Sequence, residues 1–357
     1  MSTIPTLPGV TSTRVPTGRL TQHVLSSGPE DGTPVLFVHG NASSATFWEE
    51  VMTELPTRYR AIAPDLRGYG ETEDKTIDAT RGSADWVDDL LALKEALGIE
   101  RWHVAGHSLG GFVLWRLVAA DAPNVLSATF VAPGSPYGFG GTRDVRGTPT
   151  HDDFAGSGGG LVNAEMAQRM AAGDRGTDHP RSPRNVMNAV YWKPPFRARR
   201  EEDLLTGMLS QKTGPDRYPG DAVPSPHWPG VAPGVHGPNN ALSPKYLGDS
   251  VERFVAATPK PPVLWVYGAD DQIVSDTSLS DVGYLGKLGY VPGWPGDEVF
   301  PPQPMVSQTR AVLDRYAAAG GSYREVRLEE CGHTPYLEHP ERFMAEFTAV
   351  LAAGDAG

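Results

Sequence analysis

The spacing of apolar residues changes period repeatedly along the chain, and each change marks an element. Residues 34–38, Pro-Val-Leu-Phe-Val, are an unbroken apolar run, the pattern of a strand covered on both faces. A helical face follows, carrying Phe47, Trp48, Val51, Met52 and Leu55, and Pro56 ends it. Residues 60–64 read as the next strand. From about Ser83 a helix is predicted that sets Trp86, Leu90, Leu93 and Leu97 on one face and stops at Gly98. The apolar stretch 102–105 reads as a buried strand, 111–120 as a helix and 127–132 as another strand. Upstream, 19–26 alternate enough for a strand and 28–32 form a turn, while 1–17, with their prolines and threonines, read as a loose arm. Regular alternation of strand and helix predicts an α/β fold: a mostly parallel central sheet with helices on both faces.

The rhythm breaks at Pro133. From there to about Leu247 the chain is rich in Gly and Pro, with short helical pieces at 163–172, 183–192 and 201–209. That is too long for an ordinary loop, so 134–247 is expected to be an inserted cap, with the core domain built from 1–133 and 248–357. The strand pattern returns at 262–268. A second, smaller Gly/Pro-rich insert covers about 277–304, followed by a helix at 306–318, a strand at 323–328 and a last amphipathic helix bearing Phe343, Phe347 and Leu351.

Composition narrows the function classes. Among 357 residues, 31 Lys+Arg stand against 43 Asp+Glu, a net charge of −12. Such a surface repels nucleic-acid phosphates and anionic membranes, and no basic stripe interrupts it. No stretch approaches the ~18 apolar residues of a membrane span, and the N-terminus has no apolar core of signal-peptide length. The expectation is a cytoplasmic protein without a nucleic-acid or membrane partner. A single cysteine, Cys331, excludes an internal disulfide and a cysteine-based metal site, and it reads as a small buried filler.

The chemistry centres on Gly106-His107-Ser108-Leu109-Gly110. A strand, a Gly-x-Ser-x-Gly turn and a helix together form a nucleophile elbow, in which the turn is so sharp that its flanks must be small. The helix starting behind Ser108 points unsatisfied N–H groups at any developing anion. Ser108 is therefore the expected nucleophile. A serine hydroxyl needs a base within hydrogen-bond reach and a group to orient that base. Of ten histidines, His39 and His107 sit inside turns and read as structural, and His103 reads as a satisfied core residue. His333 follows the last strand in a Glu-Glu-Cys-Gly-His turn, at the carboxyl edge where Ser108 emerges, and is the expected base. The orienting carboxylate belongs at another strand end. Gly268-Ala269-Asp270-Asp271 supplies two adjacent candidates, of which spacing favours Asp271, with Asp270 or Asp276 as alternatives. The oxyanion of a tetrahedral intermediate needs two backbone N–H groups, expected from Leu109 and from Asn41 at the end of the strand 34–38.

Taken together, strand-His39-Gly40, Asp65-x-Arg67-Gly68-x-Gly70, Gly106-His107-Ser108-Leu109-Gly110-Gly111, Gly268-x-x-Asp271 and Gly332-His333 resemble the α/β-hydrolase superfamily. The resemblance covers about 19–352 apart from the two inserts and implies a Ser108–Asp271–His333 triad under a cap inserted after the strand 127–132. The cap is longer and more proline-rich than the helical caps usual in that family.

These readings lead to a serine hydrolase of carboxylic esters, lactones included, acting through an acyl-enzyme without a cofactor. Its partner is a small-molecule ester or lactone. Trp192, Phe196, Met208 and Trp228 of the cap are expected to shape a pocket for a bulky, apolar acyl or alcohol part. His227 and His236 lack metal-ligand spacing, so no metal is expected. Aspartate-nucleophile dehalogenases and epoxide hydrolases are disfavoured by Ser108 itself. A carbon–carbon bond hydrolase of a diketone uses the same triad, and a ligand-binding receptor of the same fold is the alternative from a different class.

Overall fold

The computed structural model describes residues 4–356. Its sheet strands are β1 (Thr11–Pro16), β2 (Thr21–Ser27), β3 (Thr33–Val38), β4 (Tyr59–Pro64), β5 (Trp102–His107), β6 (Val125–Val131), β9 (Val263–Gly268) and β10 (Tyr323–Leu328), with the short hairpin β7 (Ala222–Pro224) and β8 (Val231–Pro233) apart from them. The eight form one sheet in the order β1-β2-β4-β3-β5-β6-β9-β10. From β4 to β10 every neighbouring pair is parallel, and β1–β2 and β2–β4 are antiparallel.

Unbroken apolar runs became central strands because both sheet faces are covered. In β3, Val35 and Phe37 enter one core with Trp48, Phe343 and Phe347, while Leu36 and Val38 enter the other with Trp102, Trp115 and Phe130. The same division runs through β9, where Leu264 and Val266 face one core and Trp265 and Tyr267 the other. Such alternation places two apolar layers about one sheet, the α/β arrangement expected from the pattern.

Two local expectations are revised. The arm at 1–17 contains β1, which pairs with β2 along its length, Thr11 opposite Ser26 through Pro16 opposite Thr21. Its side chains are mostly exposed, so it lacks an apolar pattern, and backbone pairing at the sheet edge makes it a strand. The helix carrying Phe47 and Trp48 begins as a 3₁₀ turn, Ala45–Trp48, and continues as Glu49–Thr53. Between β6 and β9, the pieces Ala164–Ala171, Pro183–Val190 and Glu201–Leu209 are helical, and a further helix, Ser250–Ala256, seats Phe254 edge-on to Trp115 at 4.8 Å. Within the second insert, Val282–Lys287 is helical, with Asp281 accepting from the N–H of Tyr284 at its start.

Candidate active site

β5 delivers the chain into the Gly-His-Ser-Leu-Gly turn, and Ser108 sits there at φ 55°, ψ −115°, a conformation costly for a residue with a Cβ. Its neighbours show why the flanks are glycine. A Cβ on Gly106 would stand 2.5 Å from the carbonyl oxygen of Gly110, and one on Gly110 would stand 2.1 Å from that of Val38. The turn is clamped by Ser108 N–H donating to Val131 O at 3.0 Å and by Gly134 N–H donating to Ser108 O at 2.9 Å. Leu109 opens the helix Leu109–Ala120, so its N–H belongs to the first turn, which has no intrahelical acceptor.

The loop after β3 is held by the 65–70 turn. His39 donates from Nδ1 to Gly40 O at 2.8 Å and accepts at Nε2 from Leu66 N–H at 3.0 Å, which makes it structural. Asp65 accepts from Ala45 N–H at 2.8 Å and Glu71 N–H at 2.8 Å, and His23 Nδ1 lies 2.7 Å from its carboxylate. Burial pushes the Asp65 carboxyl up, but these bonds and the neighbouring imidazoles outweigh it and leave it below the ordinary value. Gly70 must be glycine, since a Cβ at its φ of 53° would overlap the Asp65 carboxylate. Arg67 meets Asp89 in a bidentate pair, both contacts 2.8 Å, which closes the far side of the turn. Asn41 is pinned by its side chain: its Oδ1 accepts from Ala42 N–H at 3.1 Å, Tyr69 Oη–H at 2.8 Å and Gln211 Nε2 at 3.1 Å, and its Nδ2 donates to Asn239 Oδ1 at 3.3 Å.

His333 lies in the turn after β10, 3% exposed, and its Nδ1 is 2.7 Å from Asp271 Oδ2. The other oxygen of Asp271 accepts from the N–H groups of Ile273 at 2.8 Å and Val274 at 3.0 Å, so the carboxylate is fixed at both ends. Of the three candidate carboxylates, Asp271 alone meets His333. Asp270 points to Lys193 Nζ at 3.0 Å, and Asp276 caps the helix Met305–Ala318 through the N–H groups of Val306 and Ser307 at 2.8 and 3.1 Å.

Ser108, His333, Asn41 and Leu109 all line one cavity of about 460 Å³. Its walls are mainly apolar, with Phe139, Leu161, Met166, Val186 and Met208 from the segment between β6 and β9 and Leu285 from the segment between β9 and β10 among them. Met208 lines this cavity. Trp192, Phe196 and Trp228 do not. Trp192 is 1% exposed and, with Phe196 packed against it, belongs to the same apolar core as Trp48, Phe343 and Phe347. Trp228 stacks edge-on to Phe300 at 4.8 Å and donates to Pro292 O at 2.9 Å, joining the cap hairpin to the second insert. The apolar pattern marks these rings for burial without saying against which surface. Tyr191 and Tyr218, and with them Phe139, Ile273 and the second-insert residues Leu279 and Val282, reach the cavity with no local signal in the sequence.

The family model for the alpha/beta hydrolase fold matches residues 33–285. The chain belongs to the α/β-hydrolase fold family. Two curated relatives from Bacillus subtilis (strain 168) are the "Uncharacterized carboxylesterase nap", 28% identical over 175 residues (48% of this chain, 54% of the relative), and carboxylesterase YbfK, 26% identical over 176 residues (48% and 55%). The chain thus spans about half the length of these α/β hydrolases. Among solved structures, the esterase RhEst1 from Rhodococcus sp. ECU1013 shares the fold with a TM-score of 0.56 at 20% identity, over 96% of this chain and 98% of that one. Among the described residues no helix is long and apolar enough to cross a membrane, and no group of three or more His, Cys, Asp or Glu side chains is arranged to hold a metal ion. Cys331 is fully buried, and burial pushes its thiol pKa up.

Proposed function

We propose that this protein hydrolyses a carboxylic ester, lactones included, whose acyl or alcohol part is bulky and apolar. The observation that carries the reading is the His333–Asp271 contact of 2.7 Å at the wall of the cavity into which strained Ser108 opens. In the reaction, the Ser108 hydroxyl attacks the ester carbonyl while His333 Nε2 takes its proton. Asp271 holds the Nδ1–H tautomer and stabilises the imidazolium that forms. The N–H groups of Asn41 and Leu109 bind the oxyanion. Collapse expels the alcohol, protonated by His333, and leaves an acyl-serine. Water, deprotonated by the same imidazole, then attacks the acyl-serine and releases the acid and Ser108. The family membership and the esterase names of the relatives support this class of chemistry. The apolar walls support the bulky substrate, because burying such a group there removes its surface from water without leaving polar groups unpaired.

The test is turnover on a panel of short, long and branched p-nitrophenyl esters and of lactones, run beside Ser108→Ala. Turnover that vanishes in the variant supports the reading. Turnover that survives removes Ser108 from it, and no turnover by folded wild type redirects the site to carbon–carbon hydrolysis or ligand binding.

A further inference from the structure

The consecutive residues Tyr191, Trp192 and Lys193 of the cap reach three of the loops that build the proposed site, those that follow β3, β9 and β10. The Tyr191 hydroxyl donates to Ala42 O at 2.8 Å, with Asn41 O 3.4 Å away, on the loop that offers the Asn41 N–H. The Tyr191 carbonyl accepts from the Thr334 hydroxyl at 2.9 Å, next to His333. Lys193 N–H donates to Glu338 Oε2 at 2.8 Å, and its ammonium pairs with Asp270 at 3.0 Å and Glu330 at 2.7 Å.

Glu338 completes the connection from below. Its carboxylate accepts from Gly332 N–H at 3.0 and 2.8 Å and from Thr334 N–H at 3.3 Å, so it grips the chain on both sides of His333. Gly332 itself has no room for a side chain: a Cβ there would stand 2.6 Å from Lys193 N and 2.7 Å from Trp192 C. The cap backbone therefore lies directly on the histidine turn.

In the sheet, β3 and β10 are separated by β5, β6 and β9, so their loops have no strand pairing to set the distance between them. That distance matters. Oxyanion donors must stand about 2.7–3.1 Å from the developing charge, and a misplacement of about 1 Å can cost on the order of 10²-fold in rate. We propose that residues 191–193 form a strap that holds the oxyanion loop and the histidine loop in register, with the Tyr191 hydroxyl and the Glu338 carboxylate as positioning residues. The proposal rests on the ester-hydrolase reading and adds to it a structural duty for the cap besides enclosing substrate.

Tyr191→Phe removes one hydroxyl and leaves the ring. Tyr246→Phe is its matched control, because Tyr246 also donates to a backbone carbonyl within the cap, Gly234 O at 2.6 Å, away from the cavity. Full-length wild type, both variants, Glu338→Gln and Ser108→Ala are compared by kcat and KM on p-nitrophenyl butyrate, with thermal melts alongside. Tyr191→Phe is expected to lower kcat about tenfold at unchanged KM, with a melting shift no larger than that of Tyr246→Phe, whose kcat stays at the wild-type value. Glu338→Gln is expected to lose kcat at unchanged KM as well, since its Nε2 cannot accept the N–H bonds of the turn. Wild-type kcat in Tyr191→Phe, or an equal loss in Tyr246→Phe, overturns the strap while the ester reading stands. Absence of wild-type turnover, or its survival in Ser108→Ala, overturns both.

Discussion

His107 and His333 face one another with ring centroids 4.7 Å apart, and His107 Nε2–H donates to the backbone carbonyl of His333 at 2.8 Å. Tyr336 Oη lies 3.3 Å from the other ring nitrogen of His107. Burial, and then the proximity of His333, push the His107 pKa well below the usual imidazole value, so His107 stays neutral as a fixed donor. The elbow thus holds not only the serine but also the turn of the partner histidine. His107→Phe keeps a ring and loses the donor. It is expected to cost about 1–3 kcal/mol of stability in denaturant melts and to lower kcat.

The same depressed pKa gives a pH dependence. In the unfolded chain His107 takes a proton near 6.5, and in the folded chain it resists doing so until a lower pH; His39 and His103 are lowered likewise, mainly by burial. The unfolded state therefore binds more protons below 6.5, and stability, full above that pH, declines as pH falls. The raised pKa values of His23 and Asp281 act in the opposite sense, so the test is the difference: the melting temperature of His107→Phe relative to wild type is expected to rise as pH falls from 8 to 5.

Geometry singles out Asp271 as the carboxylate on His333. Asp271→Asn is expected to lower kcat by about 10⁴-fold through the wrong imidazole tautomer. Asp276→Ala, which removes only a helix cap, is expected to lose about 1 kcal/mol of stability and retain kcat. Equal kinetic losses in the two variants would remove the distinction.

Leu161 stands on the cavity wall, in the 3₁₀ turn Gly159–Leu161. Leu161→Trp fills part of the space with an indole. The expected result is a preserved kcat/KM for p-nitrophenyl acetate and a fall of at least about tenfold, near 1.4 kcal/mol, for a branched or aromatic acyl chain. An unchanged ratio between the two esters would remove this wall from the proposed acyl-binding surface.

Asp281 is a buried carboxylate in the second insert, accepting from Tyr284 and Gln303 N–H at 3.0 and 3.1 Å through one oxygen while the other has no partner. Burial raises its pKa from 3.8 to about 6. Because the folded value is the higher one, the favourable contribution is present below pH 3.8 and is lost as pH rises through about 6. Asp281→Asn mimics the neutral acid. Its unfolding free energy in denaturant melts is expected to exceed the wild type's at pH 8, by up to roughly 3 kcal/mol, and to match it near pH 4.

By itself the sequence determined the alternating elements, the elbow and the strand ends that carry Ser108, the three candidate carboxylates and His333. Those are local matters: an apolar run of the right length becomes a covered strand, and a turn that excludes a Cβ demands Gly106 and Gly110. Tertiary structure decided the rest. Asp270, Asp271 and Asp276 carry the same carboxylate a few residues apart, and only the turn after β9 selects which one meets His333. Trp192, Phe196 and Trp228 advertise burial, but hydrophobicity has no direction, so the sequence could not say that Met208 would face the cavity and these three would not. β1 has no apolar period because its stabilisation is backbone pairing with β2 at an exposed edge. Glu338, five residues past His333, meets the N–H groups of 332 and 334 within its own turn, but the N–H of 193, distant in sequence, reaches it only through the tertiary fold.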